Sequence, residues 1–221
     1  AFLTMRVPAG AASGQLVAAV ARIKGHAGAR PYRVYFLGDY VDRGPQTRRV
    51  IDLVRGLANS SVSEKQGTYG RWYALKGNHE EMMVMALSGH DPEFWRDNGG
   101  AETVKSYAGN TRAMERDALW LASLPTMLTT EHYCFVHAGV SPRYPLDAQP
   151  DEVRMWIRGW EKDDHDFGRH IVYGHTPHMK GPKLLTNSTG LDTGACYGGK
   201  LTIGVFDPTR AAGPVEIMQV P

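Results

Sequence analysis

Four short stretches carry side chains able to hold a metal or move a proton, each next to or near a glycine. They are Gly38-Asp39-Tyr40-Val41-Asp42-Arg43-Gly44, Gly77-Asn78-His79-Glu80, His137-Ala138-Gly139 and Gly174-His175-Thr176-Pro177. Asp39, Asn78, His137 and His175 offer two hard oxygens and two imidazole nitrogens. That donor mixture suits a divalent ion such as Mn²⁺, with Fe or Zn²⁺ as alternatives, better than Ca²⁺. The donors are far apart in sequence, so such a site exists only in the folded chain. Hydrolysis of a phosphate ester needs a nucleophile near neutral pH and cover for the charge on the phosphoryl oxygens. Bound metal supplies both, most fully as a pair of ions, and Asp39 is the candidate to bridge such a pair.

Next to the candidate ligand Asn78 stands His79, placed to protonate a leaving alkoxide as general acid. Asp42, three residues after Asp39, can hold the His79 ring and keep it protonated, because a nearby carboxylate favours the imidazolium. Arg43 and Arg158 are candidate phosphate clamps, since a guanidinium offers paired donors to two phosphate oxygens. Each feature has a plainer reading on its own. Asp39 and Asp42 could cap a turn before a helix, Asn78 and His79 could open a helix, and Arg158 could be an exposed charge. Their joint occurrence favours the chemical reading.

The elements that must position these residues are legible as short runs rich in β-branched and aromatic residues, at 32–37, 72–75, 132–136, 169–173, 200–206 and 215–220. Helical spacing of apolar residues marks 16–23 and 48–57, and 80–87 and 116–123 are further candidates. Strands and helices alternate first and a strand-rich end follows, which predicts an α/β fold with helices outside the sheets. The four chemical stretches each follow one of these strands, where α/β folds hold their ligands. The polar stretch 59–70 reads as a loop. His26, His90, His132, His165, His170 and His178 read as surface residues, and Trp95, Trp120, Trp156 and Trp160 as core or rim packing.

The 221 residues carry no composition break, so one domain spanning 1–221 is expected. A net charge of +2 with scattered Lys and Arg argues against nucleic-acid binding. No apolar run approaches the roughly 20 residues of a membrane helix. Two cysteines, Cys134 and Cys196, make no disulfide framework, and Cys134 reads as a buried thiol. A reducing, cytoplasmic setting is the expectation. The opening Ala1-Phe2-Leu3-Thr4-Met5 is too short for a signal-peptide core.

The motifs Gly38-Asp39-Tyr40-Val41-Asp42-Arg43-Gly44 and Gly77-Asn78-His79-Glu80, with His137-Ala138-Gly139 and Gly174-His175-Thr176, resemble the phosphoprotein-phosphatase branch of the calcineurin-like metallophosphoesterases. Asn98-Gly99-Gly100, Trp156-Ile157-Arg158 and Asp192-Thr193-Gly194-Ala195 look like its short bacterial and phage-type members, although the first of these could be only a turn. The resemblance implies a central β-sandwich flanked by helices and a two-metal centre. It implies ligand roles for Asp39, Asn78, His137 and His175, catalytic roles for His79, Asp42, Arg43 and Arg158, and substrate contacts from Arg43, Arg158 and Asn98. Arg154 lies on the same segment as Arg158 and competes with it for the match. The family's opening Gly-Asp-x-His-Gly loop is replaced. Gly10 and Gly14 keep its spacing, but Ala11 and Ser13 stand where Asp and His belong. Three functions follow as expectations. One is hydrolysis of phosphoserine, phosphothreonine or small phosphoesters. The others are a diadenosine tetraphosphatase-like activity on dinucleoside polyphosphates, and non-catalytic phosphate binding with a degenerate first metal site.

Overall fold

A computed structural model describes residues 1–5, 13–60 and 70–221. In chain order its strands are β1 (Phe2–Met5), β2 (Tyr32–Phe36), β3 (Gly70–Ala74), β4 (Met127–Thr129), β5 (Tyr133–Val136), β6 (His170–Tyr173), β7 (Lys183–Leu184), β8 (Ser188–Gly190), β9 (Leu201–Phe206) and β10 (Glu216–Val220). The α-helices are α1 (Ser13–Ala27), α2 (Thr47–Ser60), α3 (Asn78–Leu87), α4 (Pro92–Trp95), α5 (Ala101–Ser106), α6 (Thr111–Ala122) and α7 (Asp151–Trp156). Two five-stranded sheets form, in the orders β10-β9-β1-β2-β3 and β4-β5-β6-β8-β7. β1, β2 and β3 run parallel, as do β5, β6 and β8, and the outer strands are antiparallel.

The two-residue alternation of β2 explains the layering. Val34 and Phe36 join the core shared with the helices, where Leu16, Ile23, Val50, Ile51 and Val54 pack. Tyr35 and Leu37 face the other way, into a second cluster with Phe135, Val172 and Phe206 from both sheets. Tyr35 stacks on Phe135 with ring centroids 3.8 Å apart. A strand buried on both faces reads as a nearly continuous apolar run, and residues 32–37 fit that pattern apart from the exposed Arg33. A third cluster, with Cys134, Val136, Ile171 and Trp160, covers the outer face of the second sheet. The fold is therefore a mixed α/β sandwich flanked by helices.

Several expectations need adjusting. β1, β4, β7 and β8 were not anticipated. β8 is Ser-Thr-Gly, and β7 has two residues, so neither leaves an apolar pattern. His170 is buried, not on the surface, and its Nε2 lies 2.8 Å from Thr189 Oγ1. Most of the polar stretch 59–70, and Ala11 of the altered opening loop, lie outside the described residues. No described helix is long and apolar enough to cross a membrane. Cys134 is buried and free, and burial pushes its thiol up to about 12.

Candidate metal centre and active site

Strands from both sheets deliver the chemical residues to one place. Just past β2, Leu37 offers its carbonyl to His137 Nδ1 of the second sheet at 2.6 Å. A carbonyl only accepts, so this bond places a proton on Nδ1 and leaves Nε2 with a lone pair in the neutral ring. That lone pair faces Asn78 Oδ1 at 3.0 Å and Asp39 Oδ1 at 3.3 Å. Nitrogen and oxygen donors grouped this closely are the types that a divalent cation takes as ligands. Ligating atoms of Asp39, His137 and His175 all lie within 4.8 Å of one another, and the three residues are buried. The donor set thus fits a divalent ion, and the Leu37 bond is the kind of outer-shell contact that orients a ligating imidazole.

Close approach of the loops requires glycine at two points. Gly38 has φ +91°, and a Cβ there would sit 2.7 Å from the Gly77 amide nitrogen. A Cβ on Gly77 would sit 2.6 Å from Asp39 Oδ1 and 2.7 Å from the His137 ring. Asp39, Asp42, Arg43 and His175 adopt positive φ of 65°, 72°, 60° and 65° without being glycine. Such backbone is costly for a non-glycine residue, so the surroundings must hold it in place.

Glu80 is a large part of what holds it, and its role was not read from the sequence. Its Oε2 accepts from the Asp39 and Gly77 amides at 2.8 Å each. Its Oε1 accepts from the Tyr40 amide at 2.6 Å and the Val41 amide at 3.3 Å. One buried carboxylate therefore pins the Asp39 loop to the start of α3. Burial, aided by the Asp39 charge, pushes Glu80 up to about 7 against the pull of the amides.

The candidate proton-handling pair, His79 and Asp42, sits beside this cluster. His79 Nδ1 lies 2.7 Å from Asp42 Oδ2, and both side chains are buried. The other oxygen of Asp42 accepts from Trp95 Nε1 at 3.0 Å and from the Thr103 hydroxyl at 2.8 Å. With Oδ1 occupied, Oδ2 is directed at His79. Burial opposes the imidazolium, but the Asp39 and Asp42 carboxylates outweigh it, and the His79 pKa is raised. A cation on Asp39 would offset that residue's field, leaving Asp42 as the chief partner of the charged ring.

Arg43, Asn98 and Arg158 line the same cleft as Asp39, Asn78, His79 and His175, together with Trp156, Pro177, Cys196 and Tyr197. Arg158 Nη1 reaches the His175 carbonyl and Thr176 Oγ1, both at 3.3 Å. Arg154 instead bonds Thr126 and Asp151 away from the cleft, which separates the two arginines. Asn98 Nδ2 donates to the Phe94 carbonyl at 2.9 Å. Tyr197, also missed, accepts from Arg43 Nη1 at 2.9 Å and lies under its guanidinium. No local pattern flags Thr103 or Tyr197, whose partners lie 61 and 154 positions away, and the motif that contains Glu80 does not show its bonds to the Asp39 loop 39 to 41 positions away.

Known proteins resemble this chain in sequence and in fold. A bis(5'-nucleosyl)-tetraphosphatase PrpE (asymmetrical) from Anoxybacillus flavithermus is 28% identical over 193 residues, 77% of this chain and 74% of that protein. A solved structure assigned as a candidate diadenosine tetraphosphatase superposes with a TM-score of 0.68 at 19% identity, covering 99% of this chain and 93% of that one. A Saccharomyces cerevisiae protein serine/threonine phosphatase gives 0.63 at 17% identity, covering 99% of this chain and 78% of that one. These two structures speak for the fold. The model of the calcineurin-like phosphoesterases matches residues 12–198, most of the chain, and the protein belongs to that family of metal-dependent hydrolases.

Proposed function

We propose that the chain hydrolyses phosphate monoesters, with Asp39, Asn78, His137 and His175 as metal ligands and His79 as general acid. The observation that carries the reading is the meeting of His137 Nε2, Asn78 Oδ1 and Asp39 Oδ1 at 3.0–3.3 Å, beside the buried His79–Asp42 pair. A divalent ion held there supplies a Lewis acid and lowers the pKa of an attacking water.

The chain's own residues do the rest. Arg43 and Arg158 bind the phosphoryl oxygens and orient phosphorus toward the ligand cluster. Water adds to phosphorus as the bond to the leaving oxygen breaks. His79 gives that oxygen its proton, so an alcohol and inorganic phosphate leave. Asp42 stabilises the imidazolium beforehand and fixes the ring direction.

Two finer substrate readings share the metal ligands and the arginines but differ in the bond broken, a phosphate monoester in one and a phosphoanhydride in the other. The buried acid pair favours alkyl esters such as phosphoserine and phosphothreonine, whose alkoxides need a proton to depart. The tetraphosphatase relatives favour dinucleoside polyphosphates, whose leaving phosphates need none. Turnover of a phosphoserine peptide and of a bis(5'-nucleosyl) tetraphosphate by the Mn²⁺-loaded protein separates them. Absence of turnover on both, and on an aryl phosphate, overturns the hydrolytic reading.

A further inference from the structure

The mouth of the cleft carries aromatic surface that phosphate binding alone does not require. Trp156 ends α7, two residues before Arg158, and is 37% exposed. Its ring meets His175 at 6.3 Å and 77°, and Phe94 at 6.4 Å and 38°. The indole packs beside these two rings while more than a third of the residue stays open at a cleft lined by Arg43, Arg158 and His79. An aromatic so placed offers a flat apolar face to whatever is attached to a phosphate. Tyr197, 56% exposed, is tied to Arg43 through its hydroxyl and its ring. Trp156 packs beside His175 and Phe94 instead.

We infer that Trp156 is a stacking platform for the nucleobase of a nucleotide, whose phosphates lie between Arg43 and Arg158. The inference rests on the cleft being a phosphate site. Three features choose a nucleoside over a peptide. A base is planar and stacks on an indole whatever its sequence of donors and acceptors. The ring already packs beside His175 and Phe94, which lowers the ordering cost of binding. The ring lines the same cleft as Arg43 and Arg158, so a base and its phosphate can be held together.

The test uses the Mn²⁺-loaded protein and calorimetric binding of two monoesters that differ only by the base, AMP and ribose 5-phosphate. AMP is expected to bind about tenfold more tightly, within the range for one base–aromatic stack. Trp156→Leu is expected to collapse that ratio to about one to two, and Trp156→Phe, which keeps a ring, to preserve most of it. Equal binding of the two ligands by the unmodified protein overturns the platform. So does a ratio that Trp156→Leu leaves intact, or a gain shown by phosphotyrosine and not by AMP. If ribose 5-phosphate, AMP and inorganic phosphate all fail to bind, the phosphate-site reading falls, and the platform with it.

Discussion

Thr103 and Asp42 exchange two hydrogen bonds, the Asp42 amide donating to Thr103 Oγ1 and the Thr103 hydroxyl donating to Asp42 Oδ1, each at 2.8 Å. Asp42 has positive φ, so the first bond helps hold an unfavourable backbone, and the second turns Oδ2 to His79. Thr103→Val keeps the volume and deletes both bonds. It is expected to cost about 1–3 kcal/mol of stability, since a buried amide and carboxylate lose a partner. Turnover should fall severalfold while KM changes little. A variant as stable and as fast as the parent in melts and steady-state kinetics would remove Thr103 from the support of the site.

His79→Asn tests the proton donor. Turnover of an alkyl phosphate is expected to fall about 10²–10⁴-fold, the usual scale for general acid catalysis. Loss on an aryl phosphate or a nucleoside tetraphosphate should be much smaller, because those groups leave without a proton. Metal content should hold, as the ligands are untouched. Equal losses across all leaving groups would count against the role.

Glu80→Gln tests the clamp between the two loops. A carboxylate can accept from four amides, but a carboxamide turns N–H donors toward half of them. Stability is expected to fall by about 1–3 kcal/mol or more, and affinity for Mn²⁺ to weaken with it, because Asp39 loses its fixed position. Denaturant titration and metal titration read the two effects separately. Unchanged metal affinity would show that the Asp39 loop keeps its shape without Glu80.

Burial lowers the His170 pKa to about 4, against the pull of the Thr186 backbone and the Asp164 charge. An unfolded histidine titrates near 6.5. Between those values the unfolded chain binds a proton that the folded chain does not, so stability is full above about 6.5 and declines as pH falls toward 4. Replacing His170 with Gln, which keeps a partner for Thr189, is expected to flatten that part of the pH–stability profile. An identical slope in parent and variant would mean that other groups control acid unfolding.

The fold and the site were legible to different depths for physical reasons. β2 stood out because both its faces are buried, whereas β8, Ser-Thr-Gly, has buried polar residues and no apolar run to notice. The proposed ligands Asp39, Asn78, His137 and His175 were visible as candidates because ligand atoms must be carried by a few residue types just past strands. Their supports were not. Glu80 could equally have been a helix-opening acid, and Trp95 reads as core, which by burial it is, although its Nε1–H donates to Asp42. Arg158 was separated from Arg154 only by where each guanidinium points. That depends on the end of α7, where Ile157 turns extended at ψ 142° and carries Arg158 back toward His175.

The altered opening loop leads to a stoichiometry. Ser13 is buried, its amide donating to Gln46 Oε1 at 2.9 Å, and a serine hydroxyl is a poor ligand for a transition ion. Ala11 has no donor at all in its side chain. Without Asp and His at those positions, a first ion has Asp39 as its sole remaining ligand from the family set. An ion at the proposed site of Asp39, Asn78, His137 and His175 would keep four. Affinity rises with the number and type of ligands, so the unmodified chain is expected to retain one tightly bound transition ion. With a single Lewis acid to serve both water and phosphate, turnover should be weak. His137→Ala should release the ion, and Ala11→Asp combined with Ser13→His should raise the content toward two and increase turnover. Ala11→Asp alone covers the case in which a histidine at the buried position 13 disturbs folding. Elemental analysis after gel filtration gives the count directly, and two tight ions per unmodified chain would mean that other residues complete the first site.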